Sequence, residues 1–272
     1  MMPELPEVET TRRGIAPHVT GRTISRIEVR EGRLRVPVPP DISERTRGQA
    51  VLDVRRRGKY LQIDLERDGL LIHLGMSGSL RIEPCVTPPG RHDHVDIVLD
   101  DTALRYRDPR RFGMITWFDP REGPPPALQG LGIEPLDVSF GGAWLHAATR
   151  DRRTPIKLFI MDTHRIVGVG NIYASESLYR ARVHPATPAQ ALGPRRCDRL
   201  ADAIRITLED AIRAGGSTLR DFIGGDGRAG YFQHSHAVYD RGGLPCLACG
   251  TLIRRSVMGQ RATYHCPACQ RR

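Results

Sequence analysis

The sequence contains no stretch that approaches the roughly eighteen uninterrupted apolar residues of a membrane-spanning helix. Its first residues, MMPELPE, are acidic and interrupted by prolines, whereas a secretory signal begins with basic residues followed by an apolar run. Disorder throughout the chain is also excluded, because hydrophobic residues make up 39% of the 272 positions and charged residues 26%. We therefore expect a soluble, cytoplasmic protein that does not bind a membrane.

Lysine is nearly absent from the chain. Only Lys59 and Lys157 are present, so arginine supplies almost all of the 41 basic side chains. Against 31 acidic residues these give a formal net charge of +10. A guanidinium group is planar and always charged, which suits two-pronged contacts with phosphate. The composition therefore favours a polyanionic partner, although charge alone does not distinguish DNA, RNA and an acidic membrane surface.

Cysteine is also scarce, but four of the six cysteines are grouped near the C-terminus. They form two CxxC pairs separated by sixteen residues, a spacing typical of a tetrahedral zinc site. Four thiolates fill every coordination position, so we predict one structural Zn²⁺ ion. Disulfide bonds are the weaker alternative in a chain without a secretory signal. The predicted ligands are Cys246, Cys249, Cys266 and Cys269, whereas Cys85 and Cys197 have no partner at a comparable spacing.

Hydrophobic patterning predicts an α+β protein with several domains. Residues 4–20 have the pattern of a helix, with Pro6 in the first turn and acidic residues at its positive end. From 23 to 118, short β-rich runs are separated by Gly, Pro and Asp, as in an antiparallel β-sandwich or barrel. The segment GPPPA and the glycines after it indicate a hinge. We assign 2–120 to a β-sandwich domain with an N-terminal helix and 121–134 to the hinge.

Beyond the hinge the apolar period becomes helical. Helices are predicted over 156–161, 172–179 and 200–212, with the glycine-rich turn VGVGN between the first two. The segment GGDGRAG is too rich in glycine for a helix or strand and is predicted to be a loop. We assign 135–230 to a helical domain and 238–272 to a zinc-ribbon-like β-hairpin.

The N-terminus has a feature with chemical consequences. If processing exposes Pro3, the chain begins with a secondary amine beside Glu4. An α-amino group has a pKa near ~8, so part of it is an uncharged nucleophile at neutral pH. A secondary amine condenses with an aldehyde carbon to an iminium ion, which withdraws electrons, and a neighbouring carboxylate can move the protons. The alternative is a proline that simply follows the initiator methionine.

Several motifs occur in a fixed order along nearly the whole chain. They begin with PELPEVET at residues 3–10 and continue with KYL, HLGMSGSL, HDH, DPRRFG and VGVGNIYASE. The last motif, QRAT at 260–263, lies between the paired cysteines. In this arrangement the sequence resembles the formamidopyrimidine-DNA glycosylases, base-excision enzymes that also nick DNA. The resemblance implies an N-terminal β-sandwich, a helix-two-turn-helix domain that binds double-stranded DNA, and a zinc finger.

The resemblance also implies catalytic roles for individual residues. Pro3 would attack C1′ of the damaged nucleotide, expel the base and leave a Schiff base to the sugar. Glu4 would transfer protons during ring opening, Glu7 would support that site, and Lys59 would lie near the phosphate and assist β-elimination. Arg261 matches the position assigned to δ-elimination. Because arginine holds its proton tightly, we interpret Arg261 first as a phosphate clamp.

A nucleotide must leave the duplex before its C1′ can be attacked, and the vacated space must be filled. The resemblance places Met76, Arg110 and Phe112 in that gap as an apolar group, a guanidinium plane and an aromatic ring. Taken alone, Met76 and Phe112 would more often be core residues.

His92 and His94 could instead form a metal-binding pair, although no third ligand is near in sequence. Further DNA contacts are implied for His92, Arg110 and Arg153, and a phosphate site for Asn171 with Tyr173.

Three functions are compatible with these motifs. The leading prediction is a bifunctional glycosylase and abasic-site lyase that acts as a monomer on oxidised purines, notably 8-oxoguanine and formamidopyrimidines. An enzyme of the endonuclease VIII type would prefer oxidised pyrimidines, but Leu5 and the three gap-filling residues resemble the purine-specific branch. A zinc-containing DNA-binding protein without catalysis is the third, and it would not need Pro3, Glu4 or Lys59.

Two features depart from the family pattern. Met1 precedes Met2, and methionine removal usually requires a small following residue, so a retained Met1 would mask the Pro3 amine. We therefore expect translation to start at Met2. Arg220 stands where relatives often have lysine, in the loop associated with capping the flipped base. This difference bears on the fine preference among lesions.

Overall fold

The computed structural model describes residues 3–216 and 236–271. By its internal contacts the chain divides into two compact units. Within the described residues, the first unit consists of 3–129 with 214–216, and the second consists of 130–213 with 236–271. The predicted N-terminal helix and the strands predicted over 23–118 belong to the first unit, and the helices predicted after residue 134 belong to the second.

The first unit begins with helix α1, which covers Leu5–Val19. Pro6 stands in its first turn, where a proline costs no intrahelical hydrogen bond. Glu4 and Glu7 form a reciprocal capping box, in which each side chain accepts a hydrogen bond from the backbone of the other residue. The apolar side of the helix packs into the core of the unit. The predicted N-terminal helix is confirmed, and its cap fixes the residues that precede it.

Eight strands follow α1 and form two four-stranded antiparallel sheets, with the orders β1-β6-β7-β5 and β2-β3-β4-β8. A short helix, α2 (Ile42–Thr46), lies between β1 and β2 in sequence. Buried side chains from α1 and both sheets form one hydrophobic cluster, so the predicted antiparallel β-sandwich is confirmed. The strands are β1 Ile24–Val29, β2 Val51–Arg57, β3 Tyr60–Leu65, β4 Gly69–His73, β5 Ser79–Pro84, β6 Asp93–Leu99, β7 Thr102–Arg107 and β8 Met114–Phe118.

The strand patterns follow from their positions in the sandwich. β3 alternates half-buried and buried residues, as a strand does when one of its faces lies on the core. β4 is buried almost throughout because it lies between β3 and β8 in the middle of its sheet. The connection from β4 to β5 covers 74–78, and the connection from β7 to β8 covers 108–113. Two of the sequence motifs therefore lie in loops at strand ends.

The second unit contains helices and a β-hairpin, as the sequence predicted. Its longest helix, α6, begins at Pro194 rather than near residue 200, because proline is favoured at the first helical position. No helix in the described part of the chain is long and apolar enough to cross a membrane. The helices are α3 Gly142–Thr149, α4 Ile156–Ile160, α5 Asn171–Arg180 and α6 Pro194–Arg213, and the antiparallel hairpin consists of β9 Arg254–Met258 and β10 Arg261–His265.

Candidate functional site

The predicted nucleophile lies at the N-terminal end of α1. Pro3, Glu4 and Glu7 are all buried, and Glu7 is fully so. The Glu4 backbone N–H donates to Glu7 Oε2 over 2.9 Å, and the Glu4 side chain accepts from the Glu7 backbone in return. The Thr11 hydroxyl donates to the Glu7 carbonyl oxygen over 2.9 Å. Two carboxylates are thus fixed beside Pro3 at the end of the helix where the dipole favours negative charge.

The chain approaches Glu7 again at Gly216. A Cβ added to Gly216 would lie 3.2 Å from Glu7 Oε1, and its φ of +80° is in the left-handed region that favours glycine. Glycine therefore permits a close backbone approach to this buried carboxylate. Arg220, predicted to lie in the lesion-capping loop, falls outside the described residues, as does the glycine-rich segment 224–230.

Lys59 lies in the turn between β2 and β3, where Gly58 has a φ of 57°. Arg56 connects this turn to α1. Its Nε donates to Glu9 Oε2 over 3.2 Å, and its Nη1 donates to the Gly58 carbonyl oxygen over 3.0 Å. The turn that carries Lys59 is therefore tied to the helix whose first residues include Pro3.

Glu9 is the centre of that connection. Its carboxylate accepts from Arg12 Nη2 over 2.9 Å and from Arg13 Nε over 2.8 Å, in addition to Arg56. Burial opposes ionisation of this side chain, but the hydrogen bonds from Arg12 and Arg13 outweigh burial and lower the pKa of Glu9. The carboxylate is therefore charged at neutral pH, and the ionic link between α1 and the β2–β3 turn is maintained.

Met76, Arg110 and Phe112 lie on the two adjacent loops after β4 and β7. The Arg110 guanidinium lies over the Phe112 ring, 5.0 Å from its centroid. Phe112 is 44% exposed, so the interpretation of Phe112 as a core residue is wrong. Met76 is half-buried. A cavity of about 350 Å³ is lined by Met76 and Phe112 with Arg35, His73 and Gly75.

His73 lines the same cavity as an uncharged group. Its Nδ1 accepts a hydrogen bond from the Gly75 backbone N–H over 3.0 Å, which leaves Nε2 as the protonated nitrogen of the neutral ring. Burial, together with the nearby cations Lys59 and Arg35, lowers the pKa of His73 to about 4. At neutral pH this side chain is therefore a hydrogen-bond donor without charge.

His92 and His94 have different surroundings. His92 is half-buried and lines a second cavity of about 520 Å³ together with Arg30, Arg91 and Arg111 among others. His94 is buried, and its Nε2 lies 2.8 Å from the Asp108 carbonyl oxygen. Among residues 3–216 and 236–271, four cysteines form the only group of three or more metal-ligating side chains. The structure therefore gives no support to a His92–His94 metal site.

In the second unit, Asn171 is the first residue of α5 and is held by a buried lysine. Lys157 Nζ donates to Asn171 Oδ1 over 2.7 Å, to Thr263 Oγ1 over 2.8 Å and to the Ala262 carbonyl oxygen over 3.2 Å. Asn171 Nδ2 donates to the same carbonyl over 3.0 Å. These hydrogen bonds offset the cost of burying an ammonium group that is 0% exposed. They also join α5 to β10, whose first residue is Arg261.

The other predicted DNA contacts of this unit differ in exposure. Arg153 and Arg261 are exposed, whereas Asn171 is half-buried. Tyr173 is 0% exposed, so its side chain belongs to the packing of α5 rather than to the surface. Of the pair predicted to form the phosphate site, only Asn171 has accessible side-chain surface.

The four predicted zinc ligands lie together at the hairpin. All four are free cysteines, and their sulfur atoms lie within 4.8 Å of one another. The sulfur–sulfur distances are 4.0 Å for Cys246 and Cys269, and 3.5 Å from Cys249 to both Cys266 and Cys269. A tetrahedron with Zn–S distances of about 2.3 Å has edges of about 3.8 Å, so the four sulfurs fit a structural Zn²⁺ ion. The Tyr179 hydroxyl lies 3.2 Å from Cys246 Sγ.

Sequence reasoning assigned no role to three buried charged residues that organise these sites. Glu176 on α5 accepts backbone N–H donors from 237, 238 and 239 over 2.7–3.0 Å, and it thereby anchors the segment that leads to the zinc hairpin. Burial raises the pKa of Glu176, although the backbone donors oppose that shift. Lys157 could have been noticed as one of only two lysines, inside the apolar run IKLFI. The third residue is Asp108, at the start of the loop after β7.

The three parts of the chain match three known sequence families. Residues 2–115 match the formamidopyrimidine-DNA glycosylase N-terminal domain, and residues 131–223 match the formamidopyrimidine-DNA glycosylase H2TH domain. Residues 243–272 match the zinc finger found in FPG and IleRS. Together with the fold, these matches place the protein in the class of helix-two-turn-helix proteins with a C-terminal zinc finger. The chain belongs to the formamidopyrimidine-DNA glycosylase family.

Individual relatives cover the whole chain. It is 58% identical over 271 residues to the formamidopyrimidine-DNA glycosylase of Aromatoleum aromaticum, with 100% of both chains covered. Among solved structures, the MutM (Fpg) protein of Thermus thermophilus is 40% identical with a TM-score of 0.87, and 98% of each chain is covered. The Lactococcus lactis Fpg in complex with an abasic site containing DNA is 31% identical with a TM-score of 0.92, covering 99% of this chain and 100% of that one.

Proposed function

We propose that this protein is a bifunctional base-excision enzyme that removes oxidised purines, such as 8-oxoguanine and formamidopyrimidines, from duplex DNA and then cleaves the strand. The observation that carries the proposal is the start of α1, where Pro3 lies beside the buried carboxylates Glu4 and Glu7. A DNA-binding protein without catalysis would not need that arrangement. The identity of 58% to a relative named formamidopyrimidine-DNA glycosylase supports the same substrate class.

The Pro3 amine is the nucleophile once Pro3 is the first residue of the mature chain. Its lone pair forms a bond to C1′ of the damaged nucleotide, and the bond from C1′ to the base breaks. The electrons of that bond leave on the base, which takes up the proton that the proline nitrogen loses. Glu4 then supplies a proton to the ring oxygen as the sugar opens, so that the proline nitrogen and C1′ form an iminium ion. Glu7 keeps Glu4 in place through the capping hydrogen bonds.

Strand cleavage follows from the electron-withdrawing iminium ion. Loss of a proton from C2′ lets the 3′ phosphate leave by β-elimination, and loss of a proton from C4′ of the resulting conjugated iminium ion then releases the 5′ phosphate. Water then hydrolyses the remaining iminium ion, which releases the sugar fragment as an aldehyde and regenerates the Pro3 amine. Lys59, on the turn tied to α1 by Arg56, holds the phosphate during the first elimination. The exposed Arg261 clamps a phosphate during the second.

Double-stranded DNA is the proposed partner, because the base must be turned out of a stacked helix before C1′ can be reached. Met76, Arg110 and Phe112 fill the space that the nucleotide leaves. The structural Zn²⁺ ion keeps the hairpin with Arg261 folded. Phosphate contacts are proposed for His92, Arg153 and Asn171, and a role in lesion preference for Arg220. The buried Tyr173 supports Asn171 through the packing of α5. We propose that the protein acts on DNA as a monomer in the cytosol.

Excision from defined duplexes tests the proposed substrate class. The Lactococcus lactis protein has been solved with an oxidised pyrimidine containing DNA, so both lesion classes belong in the test. We expect single-turnover cleavage at 8-oxoguanine opposite cytosine, with phosphate at both ends of the gap, and slower cleavage at thymine glycol opposite adenine. Faster cleavage at thymine glycol would favour the endonuclease VIII type. Binding without cleavage of either duplex would favour a zinc-containing DNA-binding protein.

A further inference from the structure

The loop over 108–113 contains a strained residue and a buried carboxylate that the chemistry above does not use. Arg111 has a φ of 58°, in the left-handed region that is unfavourable for a residue with a side chain. Such a conformation persists only where the surrounding structure determines it. Asp108, at the start of the same loop, is 0% exposed. Both observations indicate that the shape of this loop is fixed.

Asp108 accepts four hydrogen bonds through its carboxylate. Oδ1 accepts from the Ser77 hydroxyl over 2.7 Å and from the Arg110 backbone N–H over 3.2 Å. Oδ2 accepts from the Gly113 backbone N–H over 2.9 Å and from the Tyr106 hydroxyl over 3.1 Å. Hydrogen bonds to an ionised acceptor are stronger than those between neutral groups. The carboxylate therefore fixes all four donors, and they fix its orientation.

These hydrogen bonds connect two separate loops. Ser77 follows Met76 in the loop after β4, whereas Arg110 and Gly113 lie on either side of Phe112 in the loop after β7. One buried side chain thus joins the backbone segments that carry all three gap-filling residues. The backbone carbonyl oxygen of Asp108 is held as well, because it lies 2.8 Å from Nε2 of His94 on the neighbouring strand β6.

Glycines bring the same two loops into direct backbone contact. A Cβ on Gly75, whose φ is +64°, would overlap the backbone of Phe112. A Cβ on Gly113 would overlap the Tyr106 hydroxyl, and a Cβ on Gly78 would lie 2.9 Å from that same hydroxyl. The loops are therefore packed too closely to move independently of each other.

We propose that Asp108 is a positioning residue that holds Met76, Arg110 and Phe112 as a preformed wedge before the protein meets DNA. The proposal rests on the proposed function, in which these three side chains fill the space of the extruded nucleotide. A wedge that is already ordered loses little conformational freedom when it enters the base stack. Asp108 therefore accelerates extrusion of the nucleotide without touching DNA itself.

The Asp108→Asn variant tests this proposal, because it keeps the shape of the side chain but turns one acceptor atom into an NH₂ donor. At least one buried donor then loses its partner. We expect single-turnover excision of 8-oxoguanine from a duplex to slow by about tenfold, the fold-change that corresponds to one buried hydrogen bond. Cleavage at an abasic site in single-stranded DNA, where no stack has to be opened, should stay within about twofold of wild type.

A second readout reports the wedge directly. The fluorescence of 2-aminopurine beside the lesion rises when the stack opens, and this rise should be slower in Asp108→Asn and in Phe112→Ala alike. Asp68→Asn is the matched control, since Asp68 is also a buried carboxylate of the first unit and accepts from Arg45 and Gln49. The control should leave the fluorescence change at the wild-type rate.

Two results would overturn the proposal: a wild-type rate of duplex excision in Asp108→Asn, or equal losses on duplex and single-stranded substrates. Amide hydrogen exchange separates this claim from the proposed function. The Arg110 and Gly113 amides should be protected in the wild-type protein and lose protection in Asp108→Asn. If the wild-type protein cleaves no DNA, the proposed function fails. Unchanged amide protection in Asp108→Asn would separately refute the positioning role of Asp108.

Discussion

Replacing Glu4 with glutamine is expected to slow excision of 8-oxoguanine by about 10²- to 10⁴-fold, the usual contribution of a general acid–base group. Glutamine keeps a carbonyl oxygen at the position that caps α1, so the helix should begin at the same residue. The loss therefore reports proton transfer rather than folding. Single-turnover excision at fixed salt measures it, with thermal unfolding of the same samples as a check.

The expected loss depends on the substrate. At an abasic site no base has to leave and the sugar already opens to an aldehyde, so Glu4→Gln should affect cleavage there much less than excision. Glu44→Gln is the matched control, because Glu44 is an exposed glutamate in the first turn of α2 within the same unit. Wild-type excision by Glu4→Gln, or equal losses in both variants, would contradict the assigned role.

The Cys249→Ser variant is expected to lose its zinc and the folded hairpin. A four-thiolate site binds zinc with about 10–16 kcal/mol, and that free energy is also the folding free energy of the module. Without it, β9 and β10 no longer hold Arg261 in place, and affinity for duplex DNA should fall by about tenfold or more at moderate salt. Metal content and fluorescence anisotropy of labelled DNA measure the two effects.

The N-terminal unit should survive this change, because its hydrophobic cluster contains no residue of the hairpin. Cys85→Ser serves as the control, since Cys85 is an exposed free cysteine of the first unit. It should keep a full equivalent of zinc. Zinc content that is unchanged in Cys249→Ser would refute the four-cysteine site.

The features that the sequence predicted correctly are those with local signals. The start of α1 was predicted from Pro6 in the first turn and acidic residues near it, and the zinc site was predicted from two CxxC pairs. Both signals can be recognised without knowing the tertiary structure. The overall fold was predicted from the family motifs, because their order along the chain corresponds to the order of the domains.

The strand β7 illustrates what local pattern could not predict. Its sequence, TALRYR, includes Arg105, which is buried and therefore interrupts the apolar pattern expected of a core strand. The charge is neutralised by Asp96 on β6, at 2.9 Å. A buried arginine can be recognised as a strand residue only when its partner on the neighbouring strand is known.

The positioning residues were missed for the same reason. Asp108 and Ser77 are 31 residues apart, and Lys157 and Thr263 are 106 residues apart, yet each pair is hydrogen-bonded. Tyr173 is the converse case, since its place in a family motif predicted a DNA contact although the helix buries its side chain. Long-range packing decides these roles, and no short spacing in the sequence encodes them.

The role of Pro3 as the nucleophile can be tested by covalent trapping with borohydride. Protein whose intact mass shows Pro3 as the first residue is mixed with a duplex carrying 8-oxoguanine opposite cytosine, and borohydride reduces any iminium ion to a stable amine. We expect a protein–DNA adduct that peptide mass analysis maps to Pro3. An adduct at another residue, or none with either this duplex or an abasic site, would show that Pro3 is not the nucleophile.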